Sequence, residues 1–237
     1  MKMSGRILPG MVILFLTYIF PVFAQEVFHV TFENEITGSE PKAFSSFVGN
    51  WHIDADGSRR ILAVDGRNWM NTMSPGIAEK AKAIYGDRYA EFLDNLEAYK
   101  YFPLCIYRNI ADFRNGTITV RFKGNSGRID QGAGIAFNIR QNGNYLVVRA
   151  HCIENNMVLF KMEEGKRSSI QWIRDVIAPS KQWHTLKVVI TGSRIEGYLN
   201  GKKYIDYTWK EPISGKIGLW SKADSYMFFD DFTVIKQ

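Results

Sequence analysis

Cysteine is scarce in this chain of 237 residues: there are two, Cys105 and Cys152. Two thiols make no disulfide framework, and with His29, His52, His151 and His184 scattered along the chain they make no zinc site, which needs ligands at close spacing. An exported location permits a bond between them. Both sit in apolar runs, FPLCIY and VVRAHCI, so two buried free thiols are expected.

Stripes of like charge are also missing. The formal net charge is +6, but the basic residues come singly or in pairs such as Arg59-Arg60, Lys166-Arg167 and Lys202-Lys203. Neutralising a phosphate backbone takes a continuous basic surface, so nucleic acid is excluded as a partner. Internal repeats, low-complexity tracts and Pro-, Gly- or Ser-rich linkers are absent, which makes a single domain the simplest organisation. Apolar and aromatic content is ample for a core, so disorder is excluded.

One long apolar run is present, at the start. MKMSGRILPGMVILFLTYIFPVFAQ carries Lys2 and Arg6 ahead of an apolar stretch and ends in Val22-Phe23-Ala24, a pattern that suits a signal peptidase cutting after Ala24. A span needs about 20 apolar residues, and Pro9, Gly10 and Pro21 interrupt this one. The expectation is a signal peptide over 1–24 and an exported, periplasmic or extracellular domain over 25–237 with no membrane span.

From Gly116 onward apolar residues recur at every second place in short runs bounded by turns, the signature of half-buried strands. Ile118, Val120 and Phe122 alternate with Thr119, Arg121 and Lys123, and Ile135, Phe137 and Ile139 lead to an Asn142-Gly143 hairpin signal. YLVVRAHC, MVLFKM, SIQWIRDVI, HTLKVVI, RIEGYL, KKYIDYTW, KIGLW and MFFDDFTVI follow, punctuated by Gly192 and Asn200-Gly201. Upstream, VFHVTFE, SSFVGNWHID and RRILAVD read as three more strands. The predicted fold is an all-β antiparallel sandwich. One segment breaks the pattern: Ser74-Pro75 reads as a cap, and Ile77, Ala81, Ile84, Arg88, Phe92 and Leu96 follow at helical steps. A helical insertion over about 76–98 is expected, broken near Gly86-Asp87, either capping the core or walling a cleft.

GAGIAF, the NYLVVR run, WHTLKV, the GYLNG turn and GLWSKADSYMFFDDF together resemble the concanavalin A-like lectin/glucanase superfamily, and within it the laminin G-like jelly rolls of the 3-keto-disaccharide hydrolase-like type. The resemblance covers about Trp51 to Val234. It implies a jelly roll whose last two strands are joined at one rim by SKADS, and a role among glycan-binding modules, glycosidases or adhesive domains, since such a fold names no single function.

Strand parity then gathers a candidate site. If Ile135, Phe137 and Ile139, Leu146, Val148 and Ala150, and Ile217 and Leu219 face inward, the outer face carries Asn138, Arg149, His151, Trp220 and Lys222 over a floor of small residues. An aromatic plate ringed by amide, guanidinium and ammonium donors is what a sugar requires. The opposing reading has Trp220 packed under the helical insertion and Arg149 paired with a carboxylate. Arg128 and Asp130 in GRIDQG are rim candidates, an ordinary polar turn being the alternative, and Glu154-Asn155-Asn156 is open to the same two readings. The paired-carboxylate strand E-x-D-x-x-E of related glucanases is absent, leaving Asp224 as the single acid or base candidate. Adjacent Asp230 and Asp231 point to opposite faces, so the inward one needs a partner; calcium held by Glu33 and one of them is a minor alternative. Carbohydrate binding leads this reading, with sugar cleavage by acids or a metal at the same cleft as the rival and adhesion third. The leader makes a direct prediction: N-terminal sequencing of the exported protein starts at Gln25, and a start at Met1 overturns it.

Overall fold

A computed structural model describes residues 25–68, 73–97 and 99–237; the expected signal peptide and Ala98, the last residue of the expected insertion, lie outside them. In chain order come β1 (Glu26–Val30), β2 (Phe44–Val48), β3 (Trp51–Asp56) and β4 (Arg59–Asp65), then helices α1 (Ile77–Tyr85) and α2 (Tyr89–Glu97) joined by a 3-10 turn at Gly86–Arg88. They are followed by β5 (Leu104–Tyr107), β6 (Gly116–Ser126), β7 (Gly132–Ile139), β8 (Tyr145–His151), β9 (Asn156–Glu163) and β10 (Lys166–Arg174). The chain closes with β11 (Trp183–Thr191), β12 (Arg194–Leu199), β13 (Lys202–Thr208), β14 (Lys216–Ser221) and β15 (Tyr226–Lys236).

These strands form two antiparallel sheets. One has the order β13-β12-β11-β6-β15-β4-β3 with β1 also on β15; the other runs β10-β9-β8-β7-β14-β5-β2. Their inner faces interdigitate as the alternation requires: Ile118, Val120, Phe122, Leu186 and Val188 meet Ile135, Phe137, Leu146, Val148, Ala150 and Leu219 in one buried cluster. The fold is the antiparallel jelly-roll sandwich expected. SSFVGNWHID is two strands, not one. Gly49 at φ +87° turns the chain so that β2 joins one sheet and β3 the other. Both cysteines are free and buried, and burial pushes the Cys152 thiol up to about 11.

The closing strand is held by charge. β15 pairs with β4 through Phe229 and with β1 from Phe232 onward, and the irregularity between them falls at Asp230 and Asp231, the latter at φ +49°. Asp230 is fully buried, and the Arg59 guanidinium reaches it at 2.5 Å. Arg59 also lies 3.3 Å from Glu33 and 3.7 Å from Asp231, which takes a further ion pair from Arg121 at 3.0 Å. The three carboxylates weighed for calcium do gather, but around a guanidinium that occupies the place a cation would take.

The helical insertion builds a second core. α1 and α2 lay Ala81, Phe92 and Leu96 on the outer face of the second sheet, against Phe47, Val48, Leu104, Ile106, Ala136, Val147 and Trp220. Each large side chain so buried contributes about 2 kcal/mol. Gly134 makes the fit possible, because a Cβ there would stand 2.8 Å from Val147 Cγ2 and 3.2 Å from the Trp220 ring. Ser74 does not cap α1: its hydroxyl donates to Gly49 O, and Gly76, at φ +67°, occupies the cap position. His184 is structural, with Nε2 2.9 Å from Pro179 O and Nδ1 3.1 Å from the Asn200 amide.

Removing the Arg59 guanidinium leaves a buried carboxylate unpaired. Because Arg59 is itself 41% exposed, the loss is expected below the range for fully buried pairs, about 2 kcal/mol. Arg59→Ala should lower the urea midpoint accordingly without changing the m-value; an unchanged midpoint refutes the tether.

Candidate functional site

Parity places Tyr145, Val147, Arg149 and His151 on the outer face of β8, and register aligns them across the sheet: Arg149 is opposite Gly134, which is opposite Trp220, while His151 is opposite Gly132. The expected row therefore exists. What covers it differs along its length.

Toward the helices the face is closed. Trp220 is wholly buried and stacks on Phe102 at 5.6 Å and 18°, so no sugar reaches the indole in this conformation and the packed reading holds. Asn138 is not on this face at all. It adopts φ +53° at an irregularity of β7 that also turns Ile139 into the outer core, and its side chain accepts from Arg140 Nε at 3.3 Å and Ser214 N at 3.2 Å. Parity fails there because one extra residue reverses every side chain beyond it.

At the other end of the row a polar cluster forms. His151 Nε2 lies 3.0 Å from Asp130 Oδ1; Lys222 Nζ lies 2.6 Å from the same oxygen and 3.3 Å from Glu154 Oε1. Arg149 is 1% exposed and donates to Asn156 Oδ1 at 2.6 Å and to Glu154 Oε2 at 3.3 Å, the carboxylate pairing weighed from the sequence. Gly132 is the floor: a Cβ there would meet His151 Cδ2 at 3.3 Å, Arg149 Cδ at 3.5 Å and Lys222 Cβ at 3.6 Å.

The rim loop between β14 and β15 assembles this cluster. Lys222 supplies its ammonium. Asp224, the sequence candidate for acid or base, instead accepts the backbone N–H groups of Arg128 (2.8 Å), Ile129 (3.0 Å) and Asp130 (2.8 Å), and so fixes the loop that delivers Asp130. Ser225 accepts from Gly132 N and Ser221 donates to Gly132 O, pinning the floor. The Arg128 side chain falls outside the cluster, lining a separate hollow with Arg67, Ser126, Gly127, Ile129 and Asp224.

Charge states follow from these partners. His151 Nδ1 faces the N–H groups of Ile153 (3.3 Å) and Glu154 (3.0 Å), while Nε2 faces both the Gln131 N–H (3.2 Å) and Asp130 Oδ1 (3.0 Å). Burial then lowers the His151 pKa against the pull of Asp130, keeping the ring neutral. Burial also brings Arg149 down to about 10 although Glu154 pulls the other way. Glu154 is opposed by burial, yet the Asn156 amide and nearby cationic groups, Arg149 and Lys222 among them, hold its carboxyl at about 2. Burial lowers the Arg167 pKa against the pull of Asp130 and Glu154, and its guanidinium sits 4.8 Å from the Phe160 ring that also carries Arg149. Asp130, His151 and Glu154 also offer three ligand atoms within 4.8 Å of one another, a set suited to a divalent cation, although the Lys222 ammonium bridges the same two carboxylates.

Sequence reasoning named Asp130, Arg149, His151 and Lys222 but left Glu154 and Asn156 as ambiguous turn residues. The signal was available: a Glu-Asn-Asn turn three residues beyond an outward His, whose middle residue at φ +48° folds the acid back over the face.

Because the folded-state pKa of Glu154 is depressed, its stabilising contribution is present above its unfolded value of 4.5 and lost as pH falls from there toward about 2. With the residue about one-third exposed, the Glu154→Gln deficit is expected to be about 1–2 kcal/mol at pH 6 and to vanish near pH 2. Urea titrations across that range check it; a pH-independent deficit contradicts the assigned charge network.

No curated protein matches the chain by sequence. Among solved structures, a carbohydrate-binding module from Bacillus subtilis is similar at a TM-score of 0.57 and 14% identity, over 81% of this chain and 95% of that one. The Bacillus licheniformis β-glucanase is similar at 0.54 and 10%, over 89% and 98%. The catalytic domain of a Thermotoga petrophila endo-1,3-β-glucanase is similar at 0.53 and 11%, over 91% and 99%. At such identities these likenesses establish the jelly-roll fold. The profile described as 3-keto-alpha-glucoside-1,2-lyase-like domain matches residues 98–235, more than half of the chain and all of the residues around Asp130, His151, Glu154 and Lys222, and the chain belongs to that family.

Proposed function

We propose that this domain is exported, takes a carbohydrate as its partner, and cleaves a glycoside whose sugar carries a ketone at C3, by elimination across C1 and C2. The observation that carries the reading is the convergence of two carboxylates and an ammonium on one rim of the outer face. Elimination needs little else. A hydrogen at C2 is acidified by the neighbouring ketone, a base removes it, and the electron pair passes to the C3 oxygen as an enolate. The enolate then returns its electrons, forming the C1–C2 double bond as the C1–O bond breaks, and the departing alkoxide takes a proton from solvent. The oxygen that gains charge needs a cation nearby, held in place before the reaction begins.

Glu154 is the base in this scheme, since at 33% side-chain exposure it is the carboxylate of the cluster most open to a substrate. Lys222, also on the open side, stabilises the enolate oxygen. Arg149, Asn156 and the His151–Asp130 pair are positioning residues, fixing the carboxylate and the ammonium through the bonds described above. A divalent cation held by Asp130, His151 and Glu154 would polarise the ketone as a Lewis acid in the place the ammonium takes.

The test is incubation of the purified protein with methyl 3-keto-α-glucopyranoside, following methanol release and the ultraviolet absorbance of the conjugated ketone. Wild type should produce both, and Glu154→Gln should reduce kcat by about a hundredfold or more. Binding of the sugar without an unsaturated product would return the reading to a carbohydrate-binding module, and full activity in Glu154→Gln would remove the base assignment.

A further inference from the structure

Six tryptophans are present, and Trp220, which is buried, is not the one that meets solvent beside the site. Trp172, on the edge strand β10, is 48% exposed. Its position follows from register. Trp172 is opposite Val158, Val158 is opposite Arg149, and Arg149 is opposite Gly134, so the indole stands in the same transverse row as the buried guanidinium of the site, two strands away. That is on the order of 10 Å across the sheet. Val158 belongs to the outer core, which puts Trp172 on the outer face too.

The indole is also held. Its ring meets Phe160 edge to face at 6.1 Å and 84°, and the Phe160 ring carries Arg149 at 5.5 Å and Arg167 at 4.8 Å. Arg167 in turn lies 4.6 Å from the centre of the Phe102 ring. A wall of alternating aromatic rings and guanidinium groups thus runs from the exposed edge of the sheet toward Glu154 and Lys222. An aromatic face packs on the apolar face of a pyranose, and a guanidinium beside it donates to hydroxyls.

We propose that Trp172, with Arg167, forms a subsite for the sugar residue attached to the reacting ring, the indole stacking on that residue and the guanidinium donating to its hydroxyls. This rests on the elimination reading for the identity of the reacting ring, and the stacking itself is independent of turnover. Trp172 does not touch the reacting atoms; it holds the neighbouring ring.

The experiment compares wild type, Trp172→Ala and Trp172→Phe in the full mature chain, with methyl 3-keto-α-glucopyranoside and an α-linked 3-keto-glucosyl-glucose disaccharide as probes. Trp172→Ala should raise KM for the disaccharide by roughly tenfold, leave its kcat unchanged and leave the methyl glycoside untouched, with Trp172→Phe restoring most of the loss. The indole N–H resonance of Trp172, assigned by its disappearance in Trp172→Phe, should shift on titration with the disaccharide and not with the methyl glycoside. Equal losses for both probes, no loss for either, or an unmoved resonance at saturation overturn the subsite. A shifted resonance without turnover in wild type keeps the subsite and removes the lyase reading, whereas turnover with an unmoved resonance does the reverse. A change in oligomeric state on Trp172→Ala, measured by sedimentation, also overturns it by assigning the indole to contact between copies.

Discussion

A sandwich strand has one face for the core and one for water, but in the seven-stranded sheet both faces are covered, and the rest of the molecule is arranged around that fact. The inner face packs against the opposite sheet, while the outer face receives α1 and α2 with Phe92 and Leu96 at its centre. Unpaired charge is kept off the covered part of that face, since an unpaired buried charge costs far more than a hydrogen bond returns. Apolar side chains such as Val147 and Trp220 take the covered positions with small residues, Gly134 and Ala136, between them, and charge is concentrated where the covering stops.

Concentrating charge at that boundary changes what the groups can do. Arg149 is buried deeply enough to be pushed below its ordinary range, yet its bonds to Glu154 and Asn156 keep it in place and hold the glutamate strongly ionised. An ammonium between two carboxylates, with a neutral imidazole behind one of them, is a preorganised field with its cost met during folding. The closing strand contributes in the same manner at a distance. Arg59 at its buried carboxylate anchors β15, and the loop entering that strand carries the lysine and the three-way acceptor Asp224.

Much of this was legible in the chain. Alternation over Gly116 to Val234 was enough for the sandwich, for the inward and outward assignment of β8 and β14, and for gathering Arg149, His151, Trp220 and Lys222 on one face. The helical insertion was visible as a change of period, with its break at Gly86. Other parts were misread for identifiable reasons. Asn138 was misplaced because an irregularity of pairing leaves no periodic mark, and Asp224 was taken for an acid or base because its three partners are backbone groups with no residue identity.

By itself, then, the amino-acid order determined the layers and the parity, since a two-residue period is a local property that needs no knowledge of neighbours. Tertiary structure alone decided which part of the outer face stays open. Trp220 and Trp172 lie on one face and in one row, and nothing local distinguishes them; the first is sealed by Phe102 and the insertion, and the second is left at an edge. Burial depends on what arrives from far away in the chain, and a strand carries no record of that.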